Sequence, residues 1–335
     1  MKSLGPGTKR WLGICVRVVF VLSTVGALWW FLRGIDVDAL GRALEHAMLW
    51  PLVVAALFNV ASQVLSAWGW RIMLEPRHRV PYRRLLRYEF AAQAASVVSP
   101  ARAGEVIRFW FLKRDAVPPG TTGALIWLEK LFGAIAMALL VAPVPWLLSG
   151  LPGVVGGFIA LFAGVMVVQL VVFVVVARRD ASARVPKALR GVVDGMYFLR
   201  SPRRTGGMLA VMLLGESADA AGAVAVLYAL HIEVPVAGAI MVLFLIDFSN
   251  LVPIAPGHVG TFEVGALYGL GVLHVQQDAA LAFALLFHLQ QVLPQVAVGL
   301  PLELRLLLTG RHPDANPPRA EQQGREGAGH SPVGG

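Results

Sequence analysis

From Gly153 to Ala177 the chain reads GVVGGFIALFAGVMVVQLVVFVVVA, with no charged side chain and with Gln169 as its most polar member. A helix crossing a bilayer needs about 20 mainly apolar residues, because lipid offers no partner to an exposed N–H or C=O. This stretch alone predicts a membrane-spanning helix. Runs of the same kind lie at 11–32, 48–70, 123–148, 207–230 and 279–308. A double-length apolar stretch at 236–275 is interrupted by Pro and Gly. It reads either as two full spans or as a hairpin dipping to mid-membrane.

The whole-chain composition agrees. Of 335 residues, 57% are hydrophobic and 15% charged, and the mean hydropathy is +0.67. Soluble domains carry about 25% charge, so an ordinary cytosolic enzyme, a disordered regulator and a disulfide scaffold are excluded. Cys15 is the single cysteine and sits in an apolar run, where it reads as a small packing residue. The formal charge of +9 would suit nucleic acid in a soluble domain. Here the basic residues fall in blocks between apolar runs, as cytoplasmic loops of membrane proteins do.

Those blocks give a direction. Residues 71–90 carry six Arg against Glu75 and Glu89, and 178–204 carry eight Lys or Arg against Asp180 and Asp194. The segments 149–152 and 231–235 have none. Both basic loops and the N-terminus are therefore expected in the cytoplasm. Lys9 and Arg10 precede the 11–32 run, which has no small-residue cleavage site and reads as an uncleaved anchor. With that parity, 88–112 cannot cross once; it is expected to enter from the cytoplasm and return. Residues 1–308 form the expected membrane domain, and 309–335, rich in Pro, Gly, Arg and Glu, a disordered cytoplasmic tail. The expected fold class is an all-α polytopic membrane protein of about seven to eight transmembrane helices plus one or two re-entrant or broken helical segments.

Two stretches break the helical pattern at membrane depth: Ser96 to Arg108, around Pro100, and Asn250 to Val264, around Pro253 and Pro256. Aligned on Pro100 and Pro256, Arg102 falls opposite His258 and Gly104 opposite Gly260, with Glu105 and Glu263 following. Irregular backbone at depth is tolerated only inside protein or beside a polar cavity, and paired interruptions point to a transporter's substrate site. Helices starting near Gly104 and Gly260 would aim unpaired N–H groups at an anion such as a phosphate. A cytoplasmic charge cluster of Arg102, Glu105 and Arg108 is the plainer alternative.

Ionisable groups inside spans default to functional roles. Glu129 and Lys130 read as a local ion pair near the interface. Glu216 and Asp219 share a helix face, and either relay protons, bind a cation, or pair with Arg102 or Arg108 across the bundle. Asp247, mid-span, lies three residues before Asn250. His288, with Gln290 and Gln291, reads as a satisfied helix–helix contact. No phosphate-binding loop, no zinc-protease motif, no Cys/His metal spacing and no nucleophile elbow is present.

Three motifs resemble one family in the same order. Ser99-Pro100-Ala101-Arg102-Ala103-Gly104-Glu105-Val106-Ile107-Arg108 is similar to its P-x-R-x-G-E-x-x-R motif, and Leu128-Glu129-Lys130-Leu131-Phe132 to its E-R helix start, with Lys130 in place of Arg. Val252-Pro253-Ile254-Ala255-Pro256-Gly257-His258-Val259-Gly260-Thr261-Phe262-Glu263 resembles its P-x-x-P-G-G-x-G-x-x-E motif, with His258 in place of the second Gly. The family is the lysylphosphatidylglycerol synthase transmembrane region, also called a flippase-like membrane family.

The resemblance implies translocation or handling of an amphiphilic phospho- or glycolipid in a bacterial cytoplasmic membrane, with both termini cytoplasmic. It does not imply aminoacyl transfer, because the 27-residue tail leaves no room for a cytosolic synthase domain. The expected substrate-contacting residues are Arg102, Gly104, Glu105, Arg108, Glu129, Lys130, Asn250, Pro256, Gly257, His258, Gly260 and Glu263. Glu216, Asp219 and Asp247 are candidates for ion coupling. No catalytic residue, metal or cofactor is expected. The expected partners are a membrane lipid and enzymes of a lipid pathway, not nucleic acid. The alternative is a membrane enzyme or accessory subunit of lipid modification, such as glycosyl transfer from a polyprenyl phosphate, with Glu105 or Glu263 as general base.

Overall fold

The computed structural model describes residues 47–75, 77–98, 103–178, 195–251 and 258–309, besides Gly41 and Glu45. The expected first span at 11–32, the site residues Arg102, Pro256 and Gly257, and the tail beyond Thr309 lie outside the described residues. Every described element is helical: α1 Leu49–Leu74, α2 Tyr82–Val98, α3 Ala103–Arg114, α4 Pro119–Val141, α5 Gly153–Arg178, α6 Pro202–Ala229, α7 Val236–Ser249, α8 Thr261–Val272 and α9 Gln277–Thr309. One-turn pieces at Val144–Leu147 and Met196–Arg200 precede α5 and α6.

Among the described residues, five stretches are long and apolar enough to cross a membrane: Leu49–Leu74, Pro119–Leu147, Gly153–Val175, Pro202–Ala229 and Gln277–Gly299. Proline at the first position, where its missing N–H costs nothing, opens α4 and α6. The surface of α5 is strongly apolar, with Val154, Leu161, Val168 and Val171 all exposed. An apolar exterior of that extent is what lipid contact requires.

The two interrupted stretches become helix pairs. The 14 residues of α7 and the 12 of α8 reach only about 21 and 18 Å at 1.5 Å per residue, short of a hydrocarbon core of about 30 Å. The two pack on each other, so 236–275 is a pair of short helices and not two full spans. The 17-residue α2 and the 12-residue α3 pair in the same way.

Small residues set the closeness of these pairs, as expected where lipid gives helices no hydrophobic drive to associate. A Cβ on Gly104 would meet the Ala92 carbonyl oxygen and Ser96 Oγ, and one on Gly265 would lie 2.7 Å from Ile246 Cα. At the open end of the first pair, Arg84 Nη1 meets Asp115 Oδ1 at 2.5 Å. Tyr88 Oη donates to Asp115 Oδ2 at 2.8 Å.

Helix α9 joins the pairs, packing along both α2 and α8. Gly299 seats against the Phe90 carbonyl and Ala94 of α2, while Phe287 and His288 face Phe262 of α8. Between these contacts Val97, at the end of α2, and Val259, just before α8, meet Val292 and Val296 of α9. Numbers rise along α2 from 90 to 97 as they fall along α9 from 299 to 292, so the two are antiparallel. The end of α2 and the beginning of α8 thus reach α9 at the same level from opposite directions. Pro294 lies inside α9 at that level, where it removes the hydrogen bond to the Gln290 carbonyl.

Candidate functional site

The first polar centre is built on Arg108. Helix α3 places its side chain, 5% exposed, between α2 and α4. Nη1 meets Glu129 Oε2 at 2.5 Å and Nη2 meets Glu89 Oε2 at 2.7 Å. The other Glu129 oxygen accepts from Trp70 Nε1 at 2.7 Å and from Ser66 Oγ at 3.2 Å, both on α1. Gln93 Nε2 donates to Glu89 Oε1 at 3.1 Å, and the guanidinium lies 4.9 Å from the Trp70 ring centre. A planar fork with five donors can serve two carboxylates and an aromatic face together, which a lysine ammonium cannot. Buried charge is tolerated because it is paired and hydrogen-bonded.

This arrangement corrects two expectations. Glu129 pairs with Arg108 and not with Lys130: adjacent helix residues point apart, so Glu129 is buried while Lys130 is exposed. Arg108 is committed to Glu89 and Glu129 and does not reach Glu216 or Asp219. Glu89 has no prominence in the sequence, where it sits among the arginines of the 71–90 block. Its signal is that Glu89 directly precedes the apolar run FAAQAASVV, one turn before Gln93.

The second centre surrounds the start of α8. Gly260 sits there at φ +89°, a conformation that favours glycine, and His258 at φ +59°. Glu263 Oε2 accepts from Gly260 N at 2.6 Å, so the carboxylate reaches back over the first turn as in a capping box. That N–H is consequently occupied rather than aimed at an external anion. Glu263 Oε1 lies 2.8 Å from His288 Nδ1. The imidazole stacks on Phe262 with ring centres 4.3 Å apart. Thr261 Oγ1 is 3.0 Å from Asn250 Oδ1 and 2.9 Å from the His258 carbonyl oxygen, tying the end of α7 to the turn before α8. Ser249 Oγ adds a contact of 2.7 Å to the Thr261 carbonyl.

The third centre is acidic. Asp219 Oδ2 accepts from Ser62 Oγ at 2.8 Å. Asp247, in the last turn of α7, interacts electrostatically with Glu216, as do Asp219 and Lys130. Among the described residues no group of three or more His, Cys, Asp or Glu could hold a metal ion. Of the remaining expected residues, Gly104 is buried against α2, where a side chain would clash. Glu105 stands half-buried in the first turn of α3 and interacts electrostatically with Arg108. The structure therefore groups Asn250, His258, Gly260 and Glu263 in one place. Arg108 and Glu129 form a second, and Glu216, Asp219, Asp247 and Lys130 a third.

The sequence pattern described as the lysylphosphatidylglycerol synthase TM region matches residues 14–299. The chain belongs to this family. It is also similar to a protein named Glycosyltransferase AglD from Haloferax volcanii, 26% identical over 372 aligned residues. That alignment covers 91% of this chain and 59% of the relative, so the chain spans well under two thirds of the length of the relative it matches. Family and helices together establish a multi-pass membrane protein of a lipid-related family.

Proposed function

We propose that this protein moves or presents an amphiphilic phospho- or glycolipid between the leaflets of a bacterial cytoplasmic membrane. In this reading α2–α3 enters from the cytoplasmic side and α7–α8 from the opposite side, and both turn back at depth. With the span expected at 11–32, the chain crosses six times and keeps both termini in the cytoplasm.

One observation carries the reading: Val97 and Val259, beside the two interruptions, share one apolar cluster with Val292 and Val296 of α9, next to Pro294. Backbone that leaves its helical ladder at depth needs polar surroundings, and helix ends that meet at one level would let the polar residues beside them share one site. The lipid head group would lie there, with Arg102 and His258 as partners for its anionic group and Glu105 and Glu263 orienting them or taking a cationic group. Arg108, held by Glu89 and Glu129, would fix the position of the first interruption. Enzymes of the same lipid pathway would be its partners.

A liposome assay tests this. The full chain is reconstituted with fluorescent phospholipid or glycolipid, and a membrane-impermeant quencher reads leaflet exchange. Exchange above protein-free vesicles, reduced in Arg102→Ala and Glu263→Ala, supports the proposal. Exchange equal to empty vesicles, or unchanged in both variants, overturns it.

The name of the Haloferax volcanii relative favours a second reading, a membrane component of lipid glycosylation. A covalently modified lipid formed by the purified chain from a polyprenyl-phosphate sugar would favour that reading over transport.

A further inference from the structure

Facing positions on α1 and α6 enclose polar atoms that neither the Arg108 centre nor the Glu263 centre uses. The two helices run antiparallel: a Cβ on Gly222 would lie 3.6 Å from the Ala55 carbonyl oxygen, and one on Gly215 would lie 3.8 Å from Ser62 Oγ. Ser62 also donates to Asp219, between those glycines. Asn59 is four residues after Ala55 and three before Ser62, so it shares their helix face and stands at the level of Asp219. Its side chain is 4% exposed, and Oδ1 has no hydrogen-bond partner among the described residues.

Helix α9 closes the third side. Gln290 Nε2 would lie 3.9 Å from a Cβ on Gly222, one turn along α6 from Asp219. Gln290 is 8% exposed, and its Oε1 also has no partner among the described residues. Two amides with orphaned oxygens, a hydroxyl and a carboxylate therefore stand at neighbouring levels of three packed helices within the membrane part of the fold. An unmet acceptor in such a place costs about 1–3 kcal/mol.

Charge points the same way. Glu216, Asp219 and Asp247 act on one another, with Lys130 the cation acting on Glu216. Three carboxyl groups face one ammonium at a depth where isolated ions are expensive, so each must be held by a proton, a donor or a cation. The three acids do not converge on a multivalent metal site. One carboxylate with neutral oxygens instead matches a single positive charge, and hard oxygen ligands match an alkali ion.

We propose that Asp219, Ser62, Asn59 and Gln290 bind one dehydrated alkali cation between α1, α6 and α9. This binding goes beyond the lipid reading and does not depend on it.

The experiment uses the purified full chain in detergent. Thermal unfolding is compared in sodium, potassium and choline chloride at equal ionic strength, from mildly acid to mildly alkaline pH, with radiolabelled sodium binding alongside. A ligand that binds only the folded state raises Tm. Sodium or potassium should therefore raise Tm over choline, and Asp219→Asn should abolish the difference. Asn59→Ala and Ser62→Ala, which keep the carboxylate, should weaken cation affinity about ten-fold each. Glu75→Gln, at an exposed ion pair with Arg71, should respond as the parent does. An equal cation response in parent and Asp219→Asn overturns the site. So does the absence of any alkali-ion response across the pH range, because a proton then neutralises Asp219. Should Asp219→Asn not fold, unchanged affinity in both Asn59→Ala and Ser62→Ala is the overturning result.

Discussion

Arg108 and Glu129, on separate helices, meet at 2.5 Å inside the protein, and Glu89 takes the other arm of the same guanidinium. Three helices are thereby fixed at one point, and Trp70 and Ser66 add a fourth. Removing one partner of a buried pair leaves a charge without compensation, which costs about 3–5 kcal/mol. Arg108→Ala and Glu129→Ala should each lose that much stability, and the double variant less than the sum. Denaturant unfolding in micelles measures the cycle. Arg108→Lys should not rescue, since an ammonium cannot bridge both carboxylates with the same geometry.

Gly104 and Gly164 make a contrasting pair. A Cβ on Gly104 would strike the Ala92 carbonyl oxygen, whereas one on Gly164, inside α5, meets nothing within 4 Å. Gly104→Ala should force α3 from α2 at a cost of about 1–3 kcal/mol. Gly164→Ala should stabilise by about 0.5–1 kcal/mol through the unfolded chain and helix propensity. Opposite shifts in the unfolding midpoint check the pair.

Pro294 interrupts α9 where the two helix pairs meet. Pro294→Ala restores a donor to the Gln290 carbonyl and should raise Tm, because an interior proline costs a helix about 3 kcal/mol. If the interruption serves lipid movement, leaflet exchange falls while stability rises. Tm and exchange measured on one preparation separate the two effects.

Glu263 caps the turn at Gly260 and also faces His288. Glu263→Gln keeps an oxygen for the Gly260 N–H but loses the charge facing the imidazole, and Glu263→Ala loses both. The expected order of stability is parent, Gln, Ala, with the loss of the cap worth about 1 kcal/mol. Phe262 still stacks on His288 in either variant, so α8 should stay seated on α9. Thermal unfolding of the full chain in micelles provides the readout.

Periodicity and hydropathy made the long helices legible, because a spanning helix declares itself by length alone. The division of 82–114 and 236–272 into helix pairs was legible from Pro and Gly. Partner choice was not. Glu89 reads as a loop charge because its neighbours are arginines, yet α2 starts at Tyr82 and carries it inward. Nothing local to Glu129 distinguishes Lys130, next in sequence, from Arg108, 21 positions away. Aligning Gly104 with Gly260 also hid a difference: Gly104 is required by a backbone passing close to it, Gly260 by its own φ of +89°. A motif records the residue and not the constraint.

The shared seat on α9 has a mechanical consequence. Val97 from the end of α2 and Val259 from just before α8 share one apolar cluster with Val292 and Val296 of α9. A bend of α9 at Pro294 would therefore disturb the packing of both pairs together, like a single axle carrying two levers. The ends of the two helix pairs are thereby tied to one short stretch of a single helix.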